Sequence, residues 1–113
     1  MKSIQVGPVS VSIKVTDDES ELSDLHREAC YTIPEGAIYI DEELAQDKRF
    51  LALMHELGHA VFDVYGIQSD LATTFKLSPS KIDVLEETIM LRFIPAYIDV
   101  LVRAGWLKPP RVI

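Results

Sequence analysis

Two histidines and one glutamate in this chain have the spacing of a metal site on a helix. His55 and His59 are four residues apart. An α-helix would therefore place both imidazole rings on one face, where they can bind a single metal ion. Glu56 directly follows the first histidine, close enough to act on a water molecule beside that metal. The segment predicts a zinc site that carries its own general base.

The sequence around this motif favours a buried helix over a chance match. Residues 50–62 read FLALMHELGHAVF, and His55, Glu56 and His59 are their only polar side chains. Ionisable groups are costly to bury in such an apolar segment unless a cation pairs with them. A coincidental match would be expected on a surface helix with a polar face, and this segment has no such face.

A catalytic zinc site usually has a third protein ligand. Two known layouts place it six residues after His59, as histidine or aspartate, and both fail because position 65 is tyrosine. The aspartate layout also needs glycine where Phe62 stands. A third layout takes a carboxylate from a later helix, and Glu86 and Glu87 are the candidates. Neighbouring helical residues point about 100° apart, so we expect one of them to reach the metal and the other to face solvent or the rim.

Other interpretations of these carboxylates stay open. Asp63 follows His59 by four residues, and a carboxylate at that position more often orients a ligand imidazole than binds the metal. Glu86 and Glu87 could instead be charges near a helix N-terminus that the helix dipole stabilises. The residues alone do not decide the third ligand.

Hydrophobic patterning predicts the strands that would support such a site. Alternating apolar and polar residues predict strands over residues 4–6 and 9–15, with Gly7 and Pro8 as the turn between them. A further strand is predicted over residues 37–40. These segments could form a short sheet with one face on a core.

Apolar spacings of three and four predict two long helices. The first begins near residue 42 or 47 and ends at residue 64, before Gly66. The second covers residues 81–103, and Pro95 should kink or divide it. Other segments are predicted as a short helical turn over 22–26 with an exposed His26, a loop over 67–80 with a helix start near Ser78 or Ser80, and a tail over 106–113. The fold class is therefore α+β.

Composition limits the class of protein. A chain of 113 residues, 48% of them hydrophobic, fits one domain with a modest core. Eleven basic and 18 acidic residues give a net charge of −7, which argues against a nucleic-acid-binding surface. No apolar run approaches the ~20 residues of a membrane span, and the N-terminal residues lack the apolar core of a signal peptide. Cys30, the single cysteine, excludes an internal disulfide and is interpreted as a small buried hydrophobe. We therefore expect a soluble, cytoplasmic protein without a membrane partner.

With the motif and both helices placed, the chain resembles the minimal gluzincin-type zinc metallopeptidase domains of the ImmA/IrrE-like class, which are compact bacterial and phage-encoded proteins. The most specific part is the strand over 37–40, Asp41, a short acidic segment and the helix that leads into HELGHAV. The resemblance extends to about residue 105, and SprT-like domains are more distant relatives. It implies a small zincin-like domain in which a short antiparallel or mixed sheet packs on the active-site helix, with a second long helix beside it.

The resemblance also implies a third ligand and a path for the substrate. In the family, the ligand glutamate precedes a small or apolar residue at +3 and usually a Phe or Leu at +6. That pattern selects Glu87, with Met90 and Phe93 in those positions. Better-known members have Ala-Asn at +3 and +4, where this chain has Met90 and Leu91, so one polar residue near the site is missing. The strand over 37–40 would be a sheet edge to which an extended substrate adds.

The function implied by the resemblance is zinc-dependent hydrolysis of peptide bonds in a protein substrate, such as a repressor or another regulator. His55, His59 and Glu87 would hold the zinc ion. Glu56 would take a proton from the attacking water and later pass it to the leaving amine. Three tyrosines are candidates for a further donor to the transition state: Tyr39, Tyr65 and Tyr97.

Two alternatives use the same residues. The chain could be a zinc-containing module that binds a partner protein without cleaving it. Alternatively, the motif could be coincidental in a small α+β domain. Replacement of His55 and His59 by alanine would then cost ordinary packing energy and no metal.

Overall fold

A computed structural model describes residues 3–17, 28–32 and 35–113. Their elements in chain order are β1 (Ser3–Val6), β2 (Val9–Thr16), β3 (Ala29–Thr32), β4 (Ala37–Asp41), α1 (Gln46–Val64), α2 (Ile67–Thr73), α3 (Pro79–Thr88), a π-helical turn (Ile89–Phe93) and α4 (Ile94–Arg103). The predicted α+β class is confirmed. The helical turn expected over 22–26, with His26, lies outside the described residues.

The first two strands form the predicted hairpin. Gly7 has φ of +55°, a left-handed conformation that favours glycine, and it turns the chain so that Val6 faces Val9 across the antiparallel pair. Along β2, Val11 and Ile13 are buried. The alternation in the sequence therefore does place one face of this strand on the core.

The sheet is mixed, and its strand order is β1-β2-β4-β3. β2 pairs with β4 in parallel, and β3 pairs with β4 antiparallel. The expectation that the strand over 37–40 forms a sheet edge is wrong, because β4 lies between two other strands. The edge on that side is β3, which the sequence did not predict because its residues ACYT do not alternate between apolar and polar. Cys30 in β3 is buried, in agreement with its interpretation as a small hydrophobe.

Helix α1 packs one face against the sheet. Phe50, Leu53 and Ala60 are buried in the same cluster as Ile38 and Ile40 of β4. Full burial of a side chain such as leucine, isoleucine or phenylalanine stabilises the folded state by about 1.5–3 kcal/mol. The apolar segment 50–62 is not buried all round, because Leu51 and Val61 are 42% and 37% exposed.

The end of α1 is as predicted, but the next segment is not. Gly66 adopts the left-handed conformation at φ +66° and interrupts the helix. Residues 67–80 were expected to form a loop, yet Ile67–Thr73 is the short helix α2. None of its residues is buried, and its seven residues are too few to show the sustained apolar periodicity by which a helix is recognised in sequence.

The second helical run covers the predicted 81–103 and begins two residues earlier. Ser78 caps α3 by accepting a hydrogen bond from the backbone N–H of Lys81, and Pro79 stands in the first turn, where its missing N–H costs nothing. Pro95 follows a π-helical turn, so the α-helical hydrogen bonding is interrupted just before it. No helix among the described residues has both the length and the apolar character needed to cross a membrane.

The predicted tail is tied to the start of α1. Val112 is fully buried, and its N–H donates to Oε1 of Gln46 at 3.0 Å. Arg49 donates to the backbone oxygens of Val112 at 3.2 Å and Leu44 at 2.8 Å. The last residues of the chain therefore stabilise the N-terminal half of the helix that carries the two histidines.

Candidate metal centre

Helix α1 brings the two histidine rings together as the four-residue spacing predicts. The Nε2 atoms of His55 and His59 are 3.2 Å apart, and the ring centroids are 5.0 Å apart. Two ligand nitrogens on a tetrahedral zinc ion, each about 2.0–2.1 Å from the metal, would be about 3.3–3.4 Å apart. The two histidines are therefore spaced as ligands of one ion.

Glu87 supplies a carboxylate to the same point. Its Oε1 lies 2.7 Å from Nε2 of His59, and its Oε2 lies 3.9 Å from Nε2 of His55. One ligand atom from each of the three residues lies within 4.8 Å of the other two. Two histidines and one glutamate are a known ligand set for catalytic zinc, so these residues fit the metal.

Glu86, the glutamate that is not in the metal cluster, is buried rather than exposed. It was expected to face solvent or the rim, but it is 8% exposed, whereas the side chain of Glu87 is 51% exposed. Its Oε2 contacts Nδ1 of His59, and its Oε1 accepts a hydrogen bond from Nε2 of Gln68 at 2.6 Å. The two adjacent carboxylates approach the two nitrogens of one imidazole ring.

Carboxylate oxygens face both nitrogens of the His59 ring. Oε2 of Glu86 contacts Nδ1, and Oε1 of Glu87 lies 2.7 Å from Nε2, which also faces Nε2 of His55. An ionised carboxylate only accepts hydrogen bonds, so a ring N–H on either side has an acceptor. A metal ion bound at Nε2 would leave the ring hydrogen on Nδ1, where Glu86 accepts it.

His55 is held in the protonation state that a metal ligand requires. Burial lowers the pKa of His55 below its ordinary value because it penalises the charged ring, and the neighbouring His59 lowers this pKa further. The Glu87 carboxylate acts in the opposite direction but does not cancel the shift. The neutral imidazole, which binds metals, is therefore favoured.

An open cleft of about 760 Å³ contains these side chains. Glu56, the predicted base, also lines it, as do residues 28–31 at the edge strand β3. Apolar side chains of the first helix, of the π-helical turn and of the start of α4 also line the cleft: Leu51, Ala52, Met90, Leu91 and Pro95.

Asp63, the weaker candidate, is not part of the metal cluster. It lines the same cleft, but its Oδ2 accepts a hydrogen bond from the hydroxyl of Tyr31 at 3.0 Å. That bond joins the edge strand β3 to helix α1. Burial raises the pKa of Tyr31 above its ordinary value, and the hydrogen bond to Asp63 and its charge raise it further.

The tyrosine in the cleft is not one of those selected from the sequence. Tyr39, Tyr65 and Tyr97 were candidate donors, but the cleft lining does not include them. Tyr65 and Tyr97 are 59% and 52% exposed, and Tyr97 stacks on Phe93. Tyr31 lines the cleft instead, and it was missed because its strand was missed.

Met90 and Leu91, at the third and fourth positions after Glu87, have different environments. Met90 is 2% exposed, and its Sδ would lie 2.1 Å from a Cβ atom added to Gly58. The long side chain therefore fills the space that the glycine of the motif leaves open. Leu91 is 62% exposed and contributes an apolar side chain to the cleft.

Gln68 is the other cleft residue that the sequence did not reveal. It lies on α2, in a segment that was predicted to be a loop, and nothing in the pattern connects it to Glu86 eighteen residues later.

Comparison with known proteins adds no further assignment, since the chain matches no protein family, no curated protein and no solved structure at a significant level.

Proposed function

We propose that this protein is a zinc-dependent peptidase that hydrolyses peptide bonds in a protein substrate. The observation that carries the proposal is the convergence of His55 Nε2, His59 Nε2 and the Glu87 carboxylate, with their ligand atoms within 4.8 Å of one another, in a cleft that Glu56 also lines. A metal site alone would not need an acid–base residue beside it. The combination is what peptide hydrolysis needs.

Each group has a defined role in this proposal. Bound zinc would polarise the scissile carbonyl and make a water molecule easier to deprotonate. Glu56 takes the proton from the attacking water and returns it to the leaving amine. His55, His59 and Glu87 hold the ion. The Glu87 side chain is 51% exposed, so a substrate can reach the ion from solvent.

The substrate proposed for this cleft is an extended polypeptide segment. β3 is the last strand of the described sheet, and residues 28–31 line the cleft next to the metal cluster. An extended peptide can add to such an edge through main-chain hydrogen bonds, which hold it regardless of its sequence. This role, which the family resemblance assigned to the strand over 37–40, belongs to β3 because β4 is an interior strand.

The proposed biological setting follows from the same features. A protein substrate, such as a repressor or another regulator, fits an open cleft beside a sheet edge better than a small metabolite, which needs an enclosed pocket. The one cysteine, Cys30, is buried, and a chain without a disulfide suits the reducing cytoplasm. A cytoplasmic location is therefore part of the proposal.

The test is cleavage by the zinc-loaded protein of a library of unstructured peptides, with products identified by mass spectrometry. Wild type should cleave, and Glu56→Gln should lose at least ~100-fold in rate, in line with the usual contribution of a general base. The zinc content should be unchanged. Glu43→Gln, the same substitution at an exposed residue before α1, is the matched control and should cleave at the wild-type rate.

The outcomes separate the proposal from its rival. If Glu56→Gln cleaves as fast as wild type, the assigned base is wrong. If zinc-loaded wild type cleaves none of the peptides, the proposed peptidase activity is wrong. Retention of an intact protein from a cell lysate would then support the zinc-containing binding module.

A further inference from the structure

We infer that Glu86 and Gln68 are positioning residues for the metal site, which act by fixing the ring of His59. This role depends on the zinc site proposed above. It concerns a different pair of side chains: Glu86 contacts His59 at Nδ1, and Gln68 binds Glu86. Neither residue belongs to the convergent cluster of His55, His59 and Glu87.

The contacts form a continuous chain from α2 to the metal cluster. Gln68 Nε2 donates to Oε1 of Glu86 at 2.6 Å, and Oε2 of the same carboxylate contacts Nδ1 of His59. Both oxygens of Glu86 are thus engaged, by partners on two different helices. Because each carboxylate oxygen has its own partner, the orientation of Glu86 is fixed, and its contact with Nδ1 fixes the orientation of the His59 ring.

Burial argues that Glu86 is more than a helix surface charge. It is the one charged or polar residue that is buried among the residues that the structure describes. An ionised carboxylate in such a place is stable only with strong hydrogen bonds or a counter-charge. His59 supplies the hydrogen bond through Nδ1–H. A cation bound at the other ring nitrogen would supply the counter-charge and make this N–H a stronger donor.

Gln68 gives the exposed helix α2 a function in the site. No residue of α2 is buried, so the helix contributes little to the core. Its amide nevertheless reaches the buried carboxylate and satisfies the oxygen that faces away from the histidine. Partners that orient a ligand histidine typically change metal affinity by roughly 10–100-fold when they are removed.

The test is the affinity for zinc, measured by competition with a chromophoric chelator, in wild type and in three variants. Glu86→Ala removes the acceptor for Nδ1–H and should weaken zinc binding by roughly 10–100-fold. Glu86→Gln keeps an acceptor oxygen without the charge and should recover part of this loss. Gln68→Leu should produce a smaller loss in the same direction. Asp83→Asn removes an exposed carboxylate from the same helix and should bind zinc as wild type does.

The absorption spectrum of the cobalt-substituted protein separates positioning from a general loss of stability. A displaced His59 ring changes the ligand field, so the visible bands of Co²⁺ should shift in Glu86→Ala and return toward wild type in Glu86→Gln. A purely structural role would lower the melting temperature of the metal-free protein and leave these bands in place.

Three results would overturn the inference in distinguishable ways. If Glu86→Ala binds zinc as tightly as wild type with the same cobalt spectrum, neither residue positions the histidine. If Glu86→Ala abolishes metal binding while Glu87→Gln retains it, Glu86 is itself the ligand. If wild type binds neither zinc nor cobalt, the metal site itself is absent, and the proposed function fails with it.

Discussion

The sulfur of Met90 occupies the space beside Gly58 in which any larger residue would need to place its Cβ. An ideal Cβ at position 58 would be 2.1 Å from Sδ and 2.8 Å from Cε of Met90. Gly58 lies one residue before the second histidine of the motif, so this contact joins the motif helix to the π-helical turn after Glu87. The side chain of Met90, which is 2% exposed, would therefore have to move to admit a Cβ at position 58.

Gly58→Ala should destabilise the protein. Overpacking typically costs about 1–3 kcal/mol, and the better helix propensity of alanine returns about 0.5–1 kcal/mol of that. Introduced into Met90→Ala, the same substitution should be neutral or stabilising because the clash is gone. Chemical denaturation of the four proteins in this cycle measures the coupling, and equal effects of Gly58→Ala in both backgrounds would contradict the contact.

Glu87→Gln should weaken zinc binding by more than the roughly 10–100-fold expected for a residue that only orients a ligand. The substitution keeps the shape of the side chain but removes the negative charge that converges with His55 and His59. Competition titration with a chelator measures the loss. A variant that binds zinc as tightly as wild type would exclude Glu87 as the third ligand.

Tyr31→Phe should lower stability modestly and change its dependence on alkaline pH. The lost hydrogen bond to Asp63 is worth about 0.5 kcal/mol, at the low end of the usual range because it is solvent-exposed. The folded state raises the pKa of Tyr31, so the unfolded chain loses this proton first as the pH rises past about 10. Stability contributed by the protonated hydroxyl is present below that pH and is lost above it.

The measurement is urea denaturation between pH 8 and 11, conditions chosen to bracket that transition. The difference between wild type and Tyr31→Phe should shrink and then reverse as the pH rises. Asp63→Asn, which keeps an acceptor oxygen without the charge, should reduce the pH dependence. A constant difference across the range would show that folding does not raise the pKa of Tyr31.

Val112→Ala should destabilise the protein by about 1–3 kcal/mol, because the side chain is fully buried where the tail packs on α1. Val100→Ala is the matched control: its side chain is 62% exposed, and its effect should stay within about 0.5 kcal/mol. Thermal or chemical denaturation measures both. If the two variants were equally stable, the tail would not be part of the core.

Strong local patterns allowed the main elements to be predicted. Helix α1 was predicted because its apolar spacing, its motif and the stop at Gly66 agree with one another. The second helical run was predicted for the same reason, and Ser78 with Pro79 marks its start. His55, Glu56, His59 and Glu87 were selected from sequence and resemblance, and the structure places all four in one cleft.

The features that sequence did not predict depend on long-range contacts. A strand of four residues, β3, is defined by its pairing with β4, and α2 has no buried face to give it a pattern. Two adjacent glutamates can be placed about 100° apart from helix geometry, but which of them is buried depends on where Gln68 and His59 lie. Strand order cannot be read from single strands, and the edge position that the resemblance implied for the strand over 37–40 is wrong because β4 lies between β2 and β3.

Zinc titration by calorimetry tests the proposed metal centre most directly. Wild-type protein, first stripped of metal with a chelator, should bind one zinc ion per chain, and the His55→Ala/His59→Ala double variant should bind none while keeping its α+β circular dichroism spectrum. Wild-type protein that binds no zinc, or a double variant that binds it as tightly as wild type, would contradict the site formed by His55, His59 and Glu87.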